Sequence, residues 1–244
     1  MFSKEQRGGP EREKAALEQA RLLLADCTLF SSLSADERSE IAARARIRSL
    51  EAGETVFAAG APGNHMMALL SGNIRISISS ADGKELLLAI IQPGEVFGEL
   101  TVLDGKVRSA DAVAETPCML AMLYRQDILS FFEKNPSAWP KLIEVLCQRL
   151  RRTNQAFAEV ALLQLPVRLA RALLRVADAP AGPASAEMAR TRFSQRELAS
   201  MVGGTRESVN RCLRNWQRSG IVAIADGSII VVDRPALENM AEPT

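Results

Sequence analysis

Residues Phe193-Ser-Gln-Arg-Glu-Leu-Ala-Ser-Met-Val-Gly-Gly-Thr-Arg-Glu-Ser-Val-Asn-Arg-Cys-Leu213 decide how this chain is read. Ser194, with Glu197 three residues on, is a capping box that opens a helix over Gln195–Met201. Gly203-Gly204 makes a turn, and Thr205 caps a second helix over Arg206–Arg218, which Ser219-Gly220 stops. Apolar Val209, Leu213 and Trp216 recur at helical spacing and turn one face of that helix inward. Ile221–Ala225 and Ser228–Val232 follow as strands joined across Asp226-Gly227, a favoured hairpin turn. Helix, glycine turn, helix and hairpin is the layout of a winged helix-turn-helix.

With Val209, Leu213 and Trp216 inward, Arg206, Glu207 and Asn210 point outward together behind Thr205, and Arg211 and Arg214 follow. Arginine bonds a guanine edge through two hydrogen bonds, and glutamate accepts from a cytosine amine. A surface made only for phosphates would not include the glutamate. Charge agrees: residues 165–244 hold 11 Arg and no Lys against 8 Asp and Glu, a net +3, while the rest carries −2. A solvated helix face or a protein-binding winged helix is the competing reading.

Upstream the texture alternates. A helix is expected over 11–27 and a second over 35–45, capped by Ser34 with Glu37. From 46 to about 124, short apolar runs are broken by Gly53, Gly60, Gly72, Gly83, Gly94 and Gly105. Ile74, Ile76 and Ile78 alternate with polar neighbours, a half-buried strand. Many short strands at this spacing predict a β-sandwich or barrel. Helix returns over 126–178. Within it Trp139, Ile143, Leu146, Leu150, Thr153, Phe157 and Val160 follow a four–three repeat flanked by Arg149 and Arg152. That seam predicts a parallel homodimer; the alternative packs it on its own domain. Pro166 starts a new helix ending near Ala177, and Pro180, Gly182 and Pro183 mark a linker. The last 52 residues are expected to hold two helices and the hairpin.

A second segment carries chemistry: Gly94-Glu-Val-Phe-Gly-Glu-Leu-Thr-Val-Leu-Asp-Gly-Lys-Val-Arg-Ser-Ala-Asp111. Gly98, in Phe97-Gly98-Glu99-Leu100, permits close backbone approach. Arg108 and Ser109 would pair with an anion. Glu99 fits a ligand that also brings a sugar hydroxyl, so a nucleotide is one reading. A structural Glu99–Arg108 salt bridge is the other.

Composition removes several classes. Lys and Arg number 30 against 29 Asp and Glu, so a blanket polycation is excluded. One histidine, His65, in a turn entering a strand, reads as an ordinary surface residue, and a multi-histidine metal site is impossible. Cys27, Cys118, Cys147 and Cys212 are scattered and read as reduced thiols. No apolar run spans a bilayer, and Met1 to Lys14 does not read as a signal peptide. The expected location is the cytoplasm, and no enzyme activity, metal or membrane association is expected.

The segment around Arg108 resembles the phosphate-binding cassette of cyclic-nucleotide-binding domains. The helix-turn-helix over Phe193–Leu213 resembles that of bacterial cAMP receptor proteins in the CRP/FNR family. The resemblance covers about residues 28–233. It implies an α+β chain: an N-terminal tail and helix (1–27), a cyclic-nucleotide-binding β-roll or jelly roll (28–135), a dimerisation helix (136–164) and a winged helix-turn-helix DNA-binding domain (165–244). It implies that Gly98, Glu99 and Leu100 hold the ribose side, and Arg108 and Ser109 the cyclic phosphate. Thr153 would meet the purine, with Asn154 reaching in from the second subunit. Thr205, Arg206, Glu207, Asn210 and Arg211 would contact double-stranded DNA at TGTGA-N6-TCACA-like sites. Close relatives often have a small residue where Asn210 stands. The effector implied is cAMP, with cGMP or nucleotide-independent binding as alternatives, and RNA polymerase is a further expected partner.

Overall fold

A computed structural model describes residues 27–31, 33–80, 85–178, 195–225 and 228–242. The helix expected over 11–27, the turn at 81–84, Ser194 and Asp226-Gly227 lie essentially outside the described residues. The described residues group into two compact units, one within 1–76 and 89–149, the other within 77–88 and 150–244.

The first unit opens with helix α1 (Ala35–Arg44), held by the predicted capping box: Glu37 donates its backbone N–H to Ser34 Oγ (3.3 Å), and Ser34 donates its own to the Glu37 carboxylate (2.7 Å). Strands β1 (Arg46–Leu50), β2 (Thr55–Phe57), β3 (His65–Ser71), β4 (Ile74–Ser79), β5 (Glu85–Ile91) and β6 (Val96–Phe97) follow. Helix α2 (Glu99–Asp104), β7 (Asp111–Ala114), β8 (Cys118–Tyr124) and helix α3 (Arg125–Lys134) lead to the long helix α4 (Trp139–Leu162). The strands make two four-stranded sheets, ordered β1-β8-β3-β6 and β2-β7-β4-β5. This is a jelly roll, as expected.

The first sheet is covered on both faces, which explains why β3 has no polar alternation. Met67 and Leu69 of β3, with Cys118 and Leu120 of β8, point into a core shared with Leu50, Ile74, Ile91 and Phe97. Met66, Ala68 and Leu70, with Ala121 and Leu123, point the other way onto Phe30, Ile41, Phe131, Phe132 and Leu142. Period two therefore assigns each side chain to one of two apolar layers. The Phe132 ring stacks on Trp139 with centroids 4.6 Å apart, so the start of α4 is anchored to this unit.

The anchoring corrects the predicted seam. Trp139, Val145 and Leu146 pack on the first unit's own core, with Leu142 inside it. The stripe left outward runs through Ile143, Leu150 and Phe157, which are 55%, 60% and 73% exposed, with Cys147 and Asn154 exposed between them. Leu146 falls on the inward side because it lies one helical turn beyond Leu142.

The second unit carries α5 (Leu165–Ala177), α6 (Gln195–Val202), α7 (Arg206–Arg218), β9 (Val222–Ala225), β10 (Ser228–Val231) and α8 (Arg234–Ala241). Its core joins Leu169 and Leu173, Leu198 and Val202, Val209, Leu213 and Trp216, and Val222, Ile229 and Leu237. Gly203 adopts φ +60° in the turn, which glycine takes without strain, and a Cβ on Gly204 would lie 2.9 Å from Leu165 Cδ1, so a side chain there would have to displace the end of Leu165. The sequence expectation omitted α8. Asp233 caps it by accepting the Ala236 N–H (3.0 Å), Pro235 sits in its first turn, and Arg234 grips Asp178 at 2.8 and 3.0 Å. Leu237 is fully buried, so Leu237→Ala is expected to lower the unfolding free energy of this unit by about 2–5 kcal/mol. Urea unfolding read at Trp216 fluorescence checks this, and a loss below ~0.5 kcal/mol would make α8 a loose appendage.

Candidate functional site

Two sites emerge, one in each unit. The first is built where β6 runs into α2. Gly98 takes φ +71° as the N-cap of α2, and Glu99, its first residue, is 1% exposed. A buried carboxylate needs a partner, and Arg149 of α4 supplies it: Nη1 donates to both Glu99 oxygens at 2.7 Å, and Nη2 donates to the Val96 carbonyl at 2.8 Å.

Arg108 stands close by and is differently held. It is 3% exposed, and its Nη1 donates to the Gly98 carbonyl (2.9 Å) and Nη2 to the His65 carbonyl (2.8 Å). Its guanidinium lies 4.2 Å over the Phe57 ring, and its Nε, buried, has no partner among the described residues. Glycines make the room: a Cβ on Gly63 would stand 2.5 Å from that Nε, and one on Gly98 would stand 2.6 Å from Nη1. The Arg108 backbone is fixed by bonds to Ala61 and Gly60. No carboxylate among the described residues pairs with it. Burial lowers the affinity of Arg108 for its proton, and the more distant charge of Glu99 opposes this.

The charge count decides what the site can take. Two arginines, Arg108 and Arg149, face one carboxylate, Glu99. The site therefore carries an uncompensated positive charge beside a glycine turn, which suits an anion that also presents hydrogen-bond donors to Glu99.

Of the residues proposed from sequence, Gly98, Glu99 and Arg108 are brought together. Leu100 and Ser109 flank them with exposed side chains. Thr153 and Asn154 are exposed on α4. The Glu99–Arg108 salt bridge considered from sequence is not formed, because Arg149 holds Glu99. Arg149 itself was placed on the polar flank of the seam; its signal was its position one helical turn before Thr153. His65 is more than a surface residue: it is half-buried, its ring lies 5.7 Å from Tyr124, and its carbonyl completes the Arg108 cradle. Burial first, then the charges of Arg108 and Arg48, lowers its pKa below the usual imidazole range. No group of His, Cys, Asp and Glu among the described residues could hold a metal ion.

The second site is the outer face of α7. Thr205 caps the helix, accepting the Ser208 N–H at 3.2 Å. Val209, Leu213 and Trp216 are buried, which turns Arg206, Glu207, Arg211 and Arg214 into water and leaves Asn210 half-buried among them. Glu207 pairs with Arg211 at 3.1 Å one turn away. The face is thus mixed in charge, with acceptors and donors ordered along one ridge. No helix of the described residues is long and apolar enough to cross a membrane.

Residues 47–135 match the family described as cyclic nucleotide-binding domain, and residues 167–240 match the Crp-like helix-turn-helix domain. The chain is 32% identical over 190 residues to a CRP-like cAMP-activated global transcriptional regulator of Mycobacterium tuberculosis, covering 78% of this chain and 85% of that protein. It is 30% identical over 213 residues to the cyclic AMP receptor protein of Thermus thermophilus, covering 87% and 96%. The c-di-GMP-responsive global regulator CLP of Xanthomonas campestris shares the fold, with a TM-score of 0.74 at 24% identity over 81% of this chain and 99% of that one.

The buried pair makes a direct test. Arg149→Met strands Glu99 and is expected to destabilise the first unit by on the order of 3 kcal/mol, the low end for buried pairs because Arg149 keeps 33% exposure. Adding Glu99→Gln should recover most of that loss in urea unfolding; simple additivity of the two changes would contradict a direct coupling.

A cyclic nucleotide-binding domain over 47–135 followed by a Crp-like helix-turn-helix domain over 167–240, with relatives 32% and 30% identical over most of their length, places the chain in the CRP/FNR family of DNA-binding transcription regulators rather than among enzymes.

Proposed function

We propose that this chain is a homodimeric transcription regulator that binds cAMP and, with it bound, recognises TGTGA-N6-TCACA-like DNA. The single observation that carries the effector reading is the buried charge imbalance: among the described residues Arg108 has no carboxylate partner and its Nε no acceptor, beside a Glu99 already held by Arg149. A cyclic phosphate supplies the missing negative charge to Arg108 and accepts from the Ser109 hydroxyl. The ribose hydroxyl donates to Glu99, with Gly98 and Leu100 shaping that side. Thr153 and, from the second subunit, Asn154 meet the purine. The relatives named for cAMP support this choice of base over cGMP.

The mechanism follows from the same bonds. A ligand on Glu99 alters the pair that ties α2 to α4 through Arg149, so one α4 arrangement binds ligand better than another. That differential is what a switch requires. The outward stripe of Ile143, Leu150 and Phe157 supports a second copy as the partner of α4. In the liganded dimer the two α7 helices stand ~34 Å apart and enter successive major grooves. There Arg206, Glu207, Asn210 and Arg211 meet base edges and Thr205 the backbone. RNA polymerase is the further partner, and the cytoplasm the place of action.

Calorimetric titration with cAMP, cGMP and cyclic di-GMP tests the effector. cAMP is expected to bind one site per chain and to raise the melting temperature, and Arg108→Ala is expected to abolish both. Binding of cGMP or cyclic di-GMP in preference to cAMP would replace the effector; no binding with unchanged operator affinity would make the protein a nucleotide-independent regulator. For DNA, Arg206→Ala is expected to cost roughly 1–3 kcal/mol and to relax one base position. A uniform loss on every sequence would make Arg206 a phosphate contact instead.

A further inference from the structure

We infer that Phe57 is a positioning residue for the effector: its ring, re-aimed by a bulge in β2, holds the Arg108 guanidinium in the pose that receives the cyclic phosphate. The inference rests on the reading of Arg108 as the partner of that phosphate and names what keeps the side chain ready for it.

Strand β2 is irregular beside the pocket. Thr55 stands opposite Val113 of β7 and Phe57 opposite Ala112, so two steps along β2 are matched by one along β7. That is the count of a β-bulge, which bends a strand and redirects a side chain. The redirection shows in the packing. Val56 and Phe57 are consecutive, and in a regular strand they would face opposite sides. Both instead pack against one core, that of Leu69, Phe97 and Leu120. The residues that follow are tied to the segment carrying Arg108. Ala59 donates its N–H to the Asp111 carboxylate (2.8 Å), Gly60 donates to the Arg108 carbonyl (2.8 Å), and Arg108 donates its own N–H to the Ala61 carbonyl (2.9 Å). Ring and arginine therefore belong to one frame.

The ring meets two parts of the pocket. Arg108 Cζ lies 4.2 Å over its centroid, within the range in which a cation is drawn to an aromatic face. A Cβ on Gly98 would lie 3.4 Å from Phe57 Cε1, and it is the Gly98 carbonyl that accepts from Arg108 Nη1. Gly63 closes on the same guanidinium: a Cβ there would lie 2.5, 2.7 and 2.9 Å from Nε, Cζ and Nη2. Gly63 has no positive φ that calls for glycine, so the arginine is what leaves no room for a side chain.

A long side chain loses rotamer freedom when it takes hold of an anion. In this pocket Arg108 has already lost that freedom on folding, held by the Phe57 face and two carbonyls. Without the ring face the guanidinium regains freedom, and an arriving phosphate has to order it.

The test is calorimetric titration of the full-length protein with cAMP, at a temperature where every variant is folded. Phe57→Leu keeps an apolar side chain but no ring face, and is expected to weaken cAMP by roughly 2- to 30-fold. Phe57→Tyr keeps the face and is expected to bind within about twofold of the wild type. A trifluorinated phenylalanine at position 57 keeps the ring but depletes its negative face, and is expected to fall between Leu and Phe. If Phe57→Leu binds cAMP like the wild type, whatever its melting temperature, the inference is overturned and Phe57 is a core residue only. If the fluorinated ring binds like the wild type while Phe57→Leu is weakened, the ring acts by bulk and the inference is again overturned. If the wild-type protein takes no cAMP, or Arg108→Ala takes it equally well, the reading of Arg108 as the phosphate's partner fails and takes the inference with it.

Discussion

A carboxylate removed from water must be matched where it stands, and Glu99 is matched by an arginine fifty residues further along the chain. Arg149 offers one nitrogen to both carboxylate oxygens and its other to the carbonyl of Val96. Breaking a buried pair costs several kcal/mol because the surviving charge is left unsatisfied. The pair therefore locks the short helix after Gly98 to the long helix, and any molecule that bonds Glu99 acts on that lock. Arg108 sits beside it without a carboxylate of its own among the described residues, cradled by two carbonyls and an aromatic ring. The pocket is thus stable as it stands but unbalanced in charge.

The jelly roll exists to hold this arrangement still. Its first sheet is packed on both faces, with β3 and β8 sending alternate side chains into two apolar layers. Phe57, whose ring lies under Arg108, belongs to one layer, and Trp139 at the head of α4 is tied to the other. Side chains in such a sandwich cannot shift freely, since interiors are close-packed. The outward stripe of α4 is apolar yet uncovered in a single chain, and it lies on the helix that Arg149 anchors.

What was legible in the sequence was local. The Ser34–Glu37 box, the Thr205 cap and the inward face of Val209, Leu213 and Trp216 are set by residues three or four apart, and each stands where its spacing placed it. The layout of strands was legible as a class but not as pairings, because β1 and β8 are about seventy residues apart and meet only through the shared core. Helix α8 was missed because it is short and its first turn holds a proline; only the Asp233 cap and buried Leu237 announce it. Gly98, Glu99 and Arg108 were legible as a cluster since one segment carries them. Arg149 was not, because periodicity assigns it to a polar flank and only burial of Glu99 reveals its use. Leu146 was misplaced for the related reason that a four–three repeat does not say which core it faces.

The central claim is that the pocket in the jelly roll and the reading face of α7 are coupled through α4. Coupling of binding is reciprocal: whatever factor the nucleotide adds to DNA affinity, DNA must add to nucleotide affinity. The measurement is the dissociation constant of cAMP for the full-length protein, alone and saturated with a TGTGA-N6-TCACA duplex. The account predicts tighter cAMP binding on the duplex, by the same factor that cAMP confers on DNA binding. Equal cAMP affinity with and without the duplex would contradict it, since the two sites would then sit on one chain without speaking to each other.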